Sequence, residues 1–249
     1  MEQPTRGTQQ AVEAAGRAET AAGEAAASAE AAQSAAQAAE NTANDALDMA
    51  NNAAARIWNP NLRINPDFAV NQRGQARYVG SMYTVDGWRT QGGAGTQIDV
   101  LPVGGIKYTR LDSEGPTGWY FWQYIEHPEK LTGKTLTLSL EIRDVDSKGG
   151  LLRPIIRAAK GDGSYIKGGS FTDITGDGIY STQLTIPEGT EQLLCGTYYP
   201  SAVPVGATFT LLRAKFELGT VSTLANDSPQ NYGTELAKSQ RYQQIIGNK

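Results

Sequence analysis

Residues 1–57 contain no aromatic side chain; all four Trp, eleven Tyr and five Phe lie from Trp58 onward. That break in composition marks a domain boundary near Asn59-Pro60, where proline also stops a helix. The 249 residues hold one cysteine, Cys195, which excludes an internal disulfide. Within "EQLLCGTYY" it reads as a buried, inert thiol. The one histidine, His127, precedes Pro128, whose ring favours an extended backbone before it. A lone histidine makes no catalytic triad without Ser and Asp partners, and nothing local supplies them. No apolar run approaches membrane-spanning length, so no membrane insertion is expected. "MEQPTRGTQQ" has no apolar core, and no secretory signal is expected. Residues 1–57 carry eight acidic and three basic side chains and the rest eighteen and nineteen, with no basic stripe to suggest nucleic acid.

What the first segment does contain is alanine, seven in the thirteen residues of "AAQSAAQAAENTA" (31–43). From Ala11, alternating steps of four and three meet Ala15, Ala18, Ala22, Ala25, Ala29, Ala32, Ala36, Ala39, Ala43, Ala46, Ala50, Ala53 and Ile57. This is an unbroken heptad seam, and a sustained 3.5-residue repeat implies left-handed supercoiling against partner helices. The flanking positions Ala14, Ala21, Ser28, Ala35, Thr42 and Met49 are small or apolar, and outer positions such as Glu13, Arg17, Glu24 and Asp45 suit water. Residues 11–57 would extend roughly 70 Å as helix, at about 1.5 Å per residue. A methyl seam buries far less than a leucine seam, so the strands need another source of association. A lone helix lying on its own body and a solvated Ala-rich linker are the alternatives. The sequence divides into an attachment segment (1–10), an Ala-rich coiled-coil stalk (11–57) and a β domain (58–249).

From residue 61 the chain reads as strands and turns. In "TLTLSLEIR" (135–143) Leu136, Leu138, Leu140 and Ile142 face one way and Thr and Ser the other. In "LLRAKFELG" (211–219) Leu212, Ala214, Phe216 and Leu218 oppose Arg213, Lys215 and Glu217. "YSTQLTIP" (180–187) groups Tyr180, Thr182, Leu184 and Ile186. Period-two alternation means sheets with one buried face. Turn signals such as Asp86-Gly87, "KGDGS" (160–164) and "TGDGI" (175–179) separate them, which predicts an antiparallel β-sandwich or jelly roll. The one helical pattern is a turn at "TELAKSQ" (234–240).

Two stretches carry a resemblance. "NPNLRINPDFAVNQRGQARYVGSMYTVDGWR" (59–89) resembles the opening of jelly-roll head domains of bacteriophage tail fibres, an N-x-x-F-x-I-N-Q-R-G element followed by Y-x-x-D-x-W. The matching positions are Asn65, Phe68, Val70, Asn71, Gln72, Arg73 and Gly74, then Tyr83, Asp86 and Trp88. "LTGKTLTLSLEI" (131–142) is similar to that domain's central strand. "AKFELGTVSTLANDSPQNYGTELAKSQRYQQ" (214–244) resembles its closing Q-x-E-x-G … E-L-x-x-C-Q-R-Y, with Phe216 in place of glutamine and Ser239 in place of cysteine. The resemblance implies a homotrimeric fibre of the virion tail, made in the host cytoplasm. Its N-terminus would join tail or baseplate proteins, and its β domain would bind a bacterial surface glycan or protein during adsorption. A structural appendage, such as a head decoration fibre or tail adaptor whose β domain binds another virion protein, is the alternative. No cofactor or metal is implied, and an enzyme is not expected.

Candidate ligand residues are aromatic. "GWYFWQYIE" (118–126) places Trp119, Phe121 and Ile125 on one face and Tyr120, Trp122 and Tyr124 on the other. One face suits the core; the other suits a neighbouring subunit or a sugar platform. "GTYYPSA" (196–202) places Tyr198 and Tyr199 before a proline, as in a loop between strands. Tyr198, Tyr199, Trp122 and Tyr120 are therefore the candidate ligand contacts, with the packing of one of the two loop tyrosines beneath the loop as the alternative. Asp162 and Asp177 are better explained by tight turns than by calcium. Paired carboxylates for glycan hydrolysis are not pointed to by any stretch. Arg73 reads as a brace for a turn at the stalk–head junction and not as a ligand contact.

Overall fold

The computed structural model describes residues 6–56, 59–112, 118–169, 172–228 and 230–242, with backbone alone for Asp48, Met49 and residues 51–56. The chain forms two compact units, Met1–Ala54 and Ala55–Lys249.

The first unit is one helix, α1 (Arg6–Arg56). Alanine loses no side-chain entropy in a helix, and no proline interrupts the run. The seam positions from Ala15 to Ala46, and Ala50, are all exposed in the single chain. Ala53 belongs to the part whose side chains are not described, and Ile57 and residues 1–5 lie outside the described residues. No described helix is long and apolar enough to cross a membrane.

The second unit carries β1 (Arg77–Val79), β2 (Met82–Tyr83), β3 (Arg89–Gln91), β4 (Thr96–Val100), β5 (Ile106–Arg110), β6 (Trp119–Ile125), β7 (Thr135–Asp146), β8 (Arg153–Ala159), β9 (Tyr165–Gly168), β10 (Gly178–Thr185), β11 (Gln192–Tyr199), β12 (Thr208–Leu218) and the helix α2 (Tyr232–Gln240). Two sheets result, β1-β4-β5-β12-β7-β10 and β2-β3-β6-β11-β8-β9. Every pairing is antiparallel. The chain crosses repeatedly from one sheet to the other, as a jelly roll requires. The core between them holds the predicted leucine row of β7 and an aromatic band of Phe68, Trp88, Phe121, Trp119, Tyr108 and Phe209, all fully buried. The stacked pair Trp88 and Phe121 lies 4.9 Å apart and Tyr108 and Phe209 lie 5.1 Å apart.

Alternation locates the inner face of β7, but on β12 a bulge between Leu211 and Arg213 breaks the period, so that Leu211 and not Leu212 joins Ala214 and Phe216 in the core and Leu218 is exposed; nor is the polar face of β7 and β12 left to water. Thr137, Ser139, Lys215 and Glu217 are fully buried, because residues 219–227 fold across them. Thr137 Oγ1 donates to the Gly219 carbonyl at 2.7 Å, and Thr223 donates to the Glu217 carboxylate through its N–H at 2.8 Å and its hydroxyl at 2.5 Å. Lys215 Nζ pairs with Asp227 and lies 3.7 Å from Glu217. Buried charge of this kind is tolerable only when fully paired. His127 also departs from expectation. It is left-handed (φ 49°), not extended, because the chain reverses after β6 into a short 3₁₀ turn, Pro128–Leu131, closed by Lys130 N–H donating to the His127 carbonyl at 3.0 Å. The expected turn at 234–240 is the body of α2, capped by the Asn231 side chain accepting from Thr234 N–H at 3.1 Å.

The segment before β1 ties the two sheets together. Asn61 donates to the Ala214 carbonyl and accepts from Phe216 N–H on β12, while Ile64 exchanges two 3.0 Å bonds with the Gln123 side chain on β6. Between them Arg63, buried, lies 4.1 Å over the Trp88 ring and bonds the Cys195 carbonyl and sulfur. Burial pushes the Cys195 thiol pKa up, against the lowering pull of Arg63. Asn65 is the densest node. Its amide donates to the Val70 carbonyl (2.8 Å) and the Asp86 carbonyl (3.1 Å) and accepts from Val70 N–H (2.8 Å). Its backbone N–H reaches Glu235 Oε2 on α2 (2.8 Å), and its carbonyl accepts Trp88 Nε1–H (3.0 Å). It sits at φ 47°, a left-handed conformation that asparagine adopts more readily than other non-glycine residues.

Asn65→Ala leaves the Val70 N–H and the Asp86 carbonyl buried without partners, and should lower stability by about 3–5 kcal/mol in urea unfolding followed by tryptophan fluorescence. A loss under 1 kcal/mol refutes the node. Ser239 on α2 is buried, and its hydroxyl has no hydrogen-bond partner among the described residues. Ser239→Cys should therefore raise stability by about 1 kcal/mol, since a thiol tolerates an unpaired apolar site; a lower melting temperature would contradict this.

Candidate ligand-binding face

β6 occupies the middle of its sheet, between β3 and β11. Its inward side chains Trp119, Phe121 and Ile125 enter the core, and its outward Tyr120, Trp122 and Tyr124 meet Tyr198, Gly196 and Leu194 of β11 in register. Beyond β11, Gly196 opposes Ile155 and Tyr198 opposes Arg153 of β8. Trp122, Ile155, Leu194 and Tyr198 form a second apolar cluster on this outer face, with Tyr120 against it. Tyr120 stacks on Tyr198 at 5.6 Å and 14°, and Trp122 meets Tyr124 edge-on at 6.4 Å. Gly196 is the flat floor between Trp122 and Ile155. A Cβ there would fall 1.9 Å from the Phe121 carbonyl oxygen. Burial raises the Tyr198 phenol pKa, opposed by a hydrogen bond with Arg153.

The four predicted aromatic contacts thus separate. Tyr120, Trp122 and Tyr198 come together on the outer face, with Tyr120 half-buried and the other two only 4% and 7% exposed. Tyr199 goes the other way. Its ring is fully buried 6.1 Å from both Tyr108 and Trp119, which makes it a core residue and not a ligand contact. The expected exposed loop is the end of β11, and neighbours on a strand point to opposite faces. The Trp122 indole N–H is buried and has no partner among the described residues.

At the Tyr124 end of this ring row a cleft of about 940 Å³ opens. Three tyrosine rings line it, Tyr83 of β2, Tyr124 of β6 and Tyr242 just after α2, exposed by 48%, 41% and 47%. Leu62, Ile64, Ile125 and Leu131 supply apolar lining, and Arg73, Gln123, Glu126, His127 and Lys130 supply polar groups. Arg73 does brace a turn, but within the β domain and not at the stalk–head junction: Nη1 donates to the Tyr83 carbonyl at 2.6 Å and the Thr84 carbonyl at 3.0 Å, and the side chain lines the cleft. Glu126 lies 3.3 Å from Arg241, and His127 Nδ1 lies 3.1 Å from Glu129. Partial burial and the Glu126 carboxylate push the Tyr242 phenol up to about 12, so it stays a neutral hydrogen-bonding group at physiological pH. A cleft of this size, apolar with a few convergent polar groups on a rigid sheet, has the make-up of a ligand site. A smaller one of about 360 Å³ borders Asp67, Glu141, Arg213 and Asp227, whose charges largely pair internally, as Arg213 does with Glu141 at 2.5 Å. Among the described residues no group of three or more His, Cys, Asp or Glu is placed to hold a metal ion.

Tyr83, Lys130 and Tyr242 carry no local ligand signal in the sequence, and Tyr124 belongs to the strand face read as a possible sugar platform. A non-local signal for two of them existed: Tyr83 and Tyr242 fall inside the opening and closing motif stretches, and the fold brings those stretches to one cleft.

No family model and no curated protein matches the chain. Among solved structures it is similar to the enzymatically active domain of bacteriophage CBA120 tailspike protein 4, at 12% identity and TM-score 0.39, over 64% of this chain and 21% of that one. It is also similar to the CBM22-1 xylan-binding domain of Paenibacillus barcinonensis Xyn10C, at 12% identity and TM-score 0.38, over 66% of this chain and 97% of that one. A CBM4 module matches at 17% identity and TM-score 0.39, over 62% and 98%. These are weak global likenesses, and the assignment of the site rests on this chain's own side chains.

Gly196→Ala should destabilise the sandwich by more than about 3 kcal/mol, because the clash is with backbone and not with a side chain that can turn away. Tyr83→Ala and Tyr124→Ala remove exposed rings and should each change stability by under about 1 kcal/mol. Chemical denaturation of the three variants checks both; a tolerated alanine at 196 or an unfolded Tyr124→Ala would reverse the division between framework and site.

Proposed function

We propose that this chain is a receptor-binding fibre protein of a bacteriophage tail, a homotrimer without enzymatic activity, whose β-sandwich recognises bacterial surface carbohydrate during host adsorption. The observation that carries the binding assignment is the cleft ringed by Tyr83, Tyr124 and Tyr242. Sugars present C–H faces bordered by hydroxyls, which suit an apolar ring with a polar tip. The rings stand on β2, on β6 and at the end of α2, and a rigid frame of this kind holds contacts at little entropic cost on binding. The fibre assignment is supported by the resemblance at both ends of the sandwich. Its motif residues Asn65, Asp86, Trp88 and Glu235 are the members of one hydrogen-bonded node. Self-association is supported by the exposed alanine seam of α1, and three strands are what the resemblance implies, since the seam alone does not fix the strand number. Three copies of a weak site in one trimer gain roughly 10²–10⁴-fold by avidity where geometry permits. The first residues would join the virion.

The second reading, a structural appendage whose sandwich binds another virion protein, predicts no affinity for cells. Full-length protein should sediment as a trimer, bind cells within a panel of bacterial strains, and be displaced by polysaccharide isolated from those strains. Tyr83→Ala with Tyr124→Ala should lose this binding while keeping the trimer and its melting temperature. A monomer refutes the fibre assignment. Absence of binding to every strain, or full binding by the folded double variant, refutes the carbohydrate site.

A further inference from the structure

The charges around the cleft do not cancel. Its one lining carboxylate, Glu126, already faces Arg241 at 3.3 Å. Glu129, just outside the lining, lies 3.1 Å from His127 Nδ1 and also feels the charge of its neighbour Lys130. Arg73 and Lys130 remain, and neither forms an ion pair with the described residues. Arg73 is half-buried and held by one nitrogen on two carbonyls, so its remaining N–H groups are fixed without a carboxylate to receive them. Lys130 is exposed on the 3₁₀ turn, Pro128–Leu131, that follows β6. A fixed guanidinium and a mobile ammonium thus border the same three tyrosine rings. An otherwise neutral sugar leaves both cations unanswered, whereas a carboxylate accepts from both through charge-assisted bonds.

We propose that the cleft takes a carboxylate-bearing sugar, with its ring against Tyr83 and Tyr124 and its carboxylate between Arg73 and Lys130. This deepens the carbohydrate-binding assignment and depends on it. The geometry divides the work: the tyrosines select a sugar face and the two cations select the acid. The Lys130 side chain makes no hydrogen bond or ion pair with the described residues, and its backbone bond to the His127 carbonyl survives substitution, so replacing it should leave the fold intact.

The test uses the full-length protein on immobilised bacterial capsular and O-antigen polysaccharides. Each is presented as isolated and again after carbodiimide-borohydride reduction, which turns every carboxylate into a primary alcohol on an otherwise unchanged chain. The polysaccharides bound by the wild type should contain acidic sugars and lose binding on reduction. Lys130→Gln should weaken binding by about tenfold, the size of one lost charge-assisted hydrogen bond. Lys130→Glu should abolish it, Lys130→Arg should retain it, and added salt should weaken the wild type as screening predicts. Binding that survives carboxyl reduction and Lys130→Glu but is lost with Tyr83→Ala and Tyr124→Ala overturns the acidic-sugar assignment and leaves carbohydrate recognition standing. No binding to any polysaccharide in either form overturns both.

Discussion

The sandwich depends on the hydrogen bonds of one residue, Asn65, through both its side-chain amide and its backbone. Two sheets facing each other across an apolar core resist sliding only weakly, because hydrophobic contact is non-directional. Direction comes from the polar segment that crosses from one sheet to the other. Asn65 gathers the turn ending at Val70, the Asp86 turn, the Trp88 indole and the acid of α2 around one buried residue. These partners come from separate stretches of chain, and without the side-chain amide the Val70 N–H and the Asp86 carbonyl would be buried and unsatisfied. The left-handed backbone at Asn65 and Phe68 turns the chain so that the Phe68 ring reaches Trp88 at 4.6 Å. Bonds and core packing therefore support the same local geometry.

The same node positions the cleft. Asp86 accepts the Gln72 backbone N–H at 3.0 Å, which seats Arg73 next to it under the Tyr83 and Thr84 carbonyls. Glu235 anchors α2, whose end presents Arg241 and Tyr242. The framework bonds thus set where the two ends of the sandwich sequence meet, and three exposed rings and two cations without an ion pair among the described residues stand at that meeting. The buried cluster of Trp122, Ile155, Leu194 and Tyr198 lies beside them as a stiff apolar backing.

The two sheets handle their outer faces differently, for a physical reason. Over β7 and β12 the polar side chains are short hydroxyls and a Lys-Glu pair, which residues 219–227 cover by meeting each group with a hydrogen bond or a counter-charge. Over β6 and β11 the side chains are aromatic, and they cover one another across Gly196. A face whose rings pack among themselves needs no covering segment, and its edge can stay open to a ligand.

Much of this was legible in the sequence. Alanine propensity and the heptad seam specify α1, and alternation in 135–143 and 118–125 assigns the inward side chains of β7 and β6, because a strand's side-chain period is a local property of the backbone. What alternation does not report is whether the second face of a strand meets water, and so Lys215, Glu217 and Ser139 read as surface while being buried. It also misplaced Tyr199, since "GTYYPSA" looks like a loop until β11 is paired on both sides. The cleft was beyond local reasoning altogether. Tyr83, Tyr124, Lys130 and Tyr242 share no period and no spacing, and come together only because the Asn65 node draws the start and the end of the sandwich to the same edge of one sheet. Sequence by itself determined the helix, the strands and the inward side chains of β6 and β7, which follow from propensity and periodicity, but not the bulge that puts Leu211 of β12 in the core in place of Leu212. Tertiary structure alone decided which outward faces are covered and where the rings and cations converge, because those depend on contacts between residues more than a hundred positions apart.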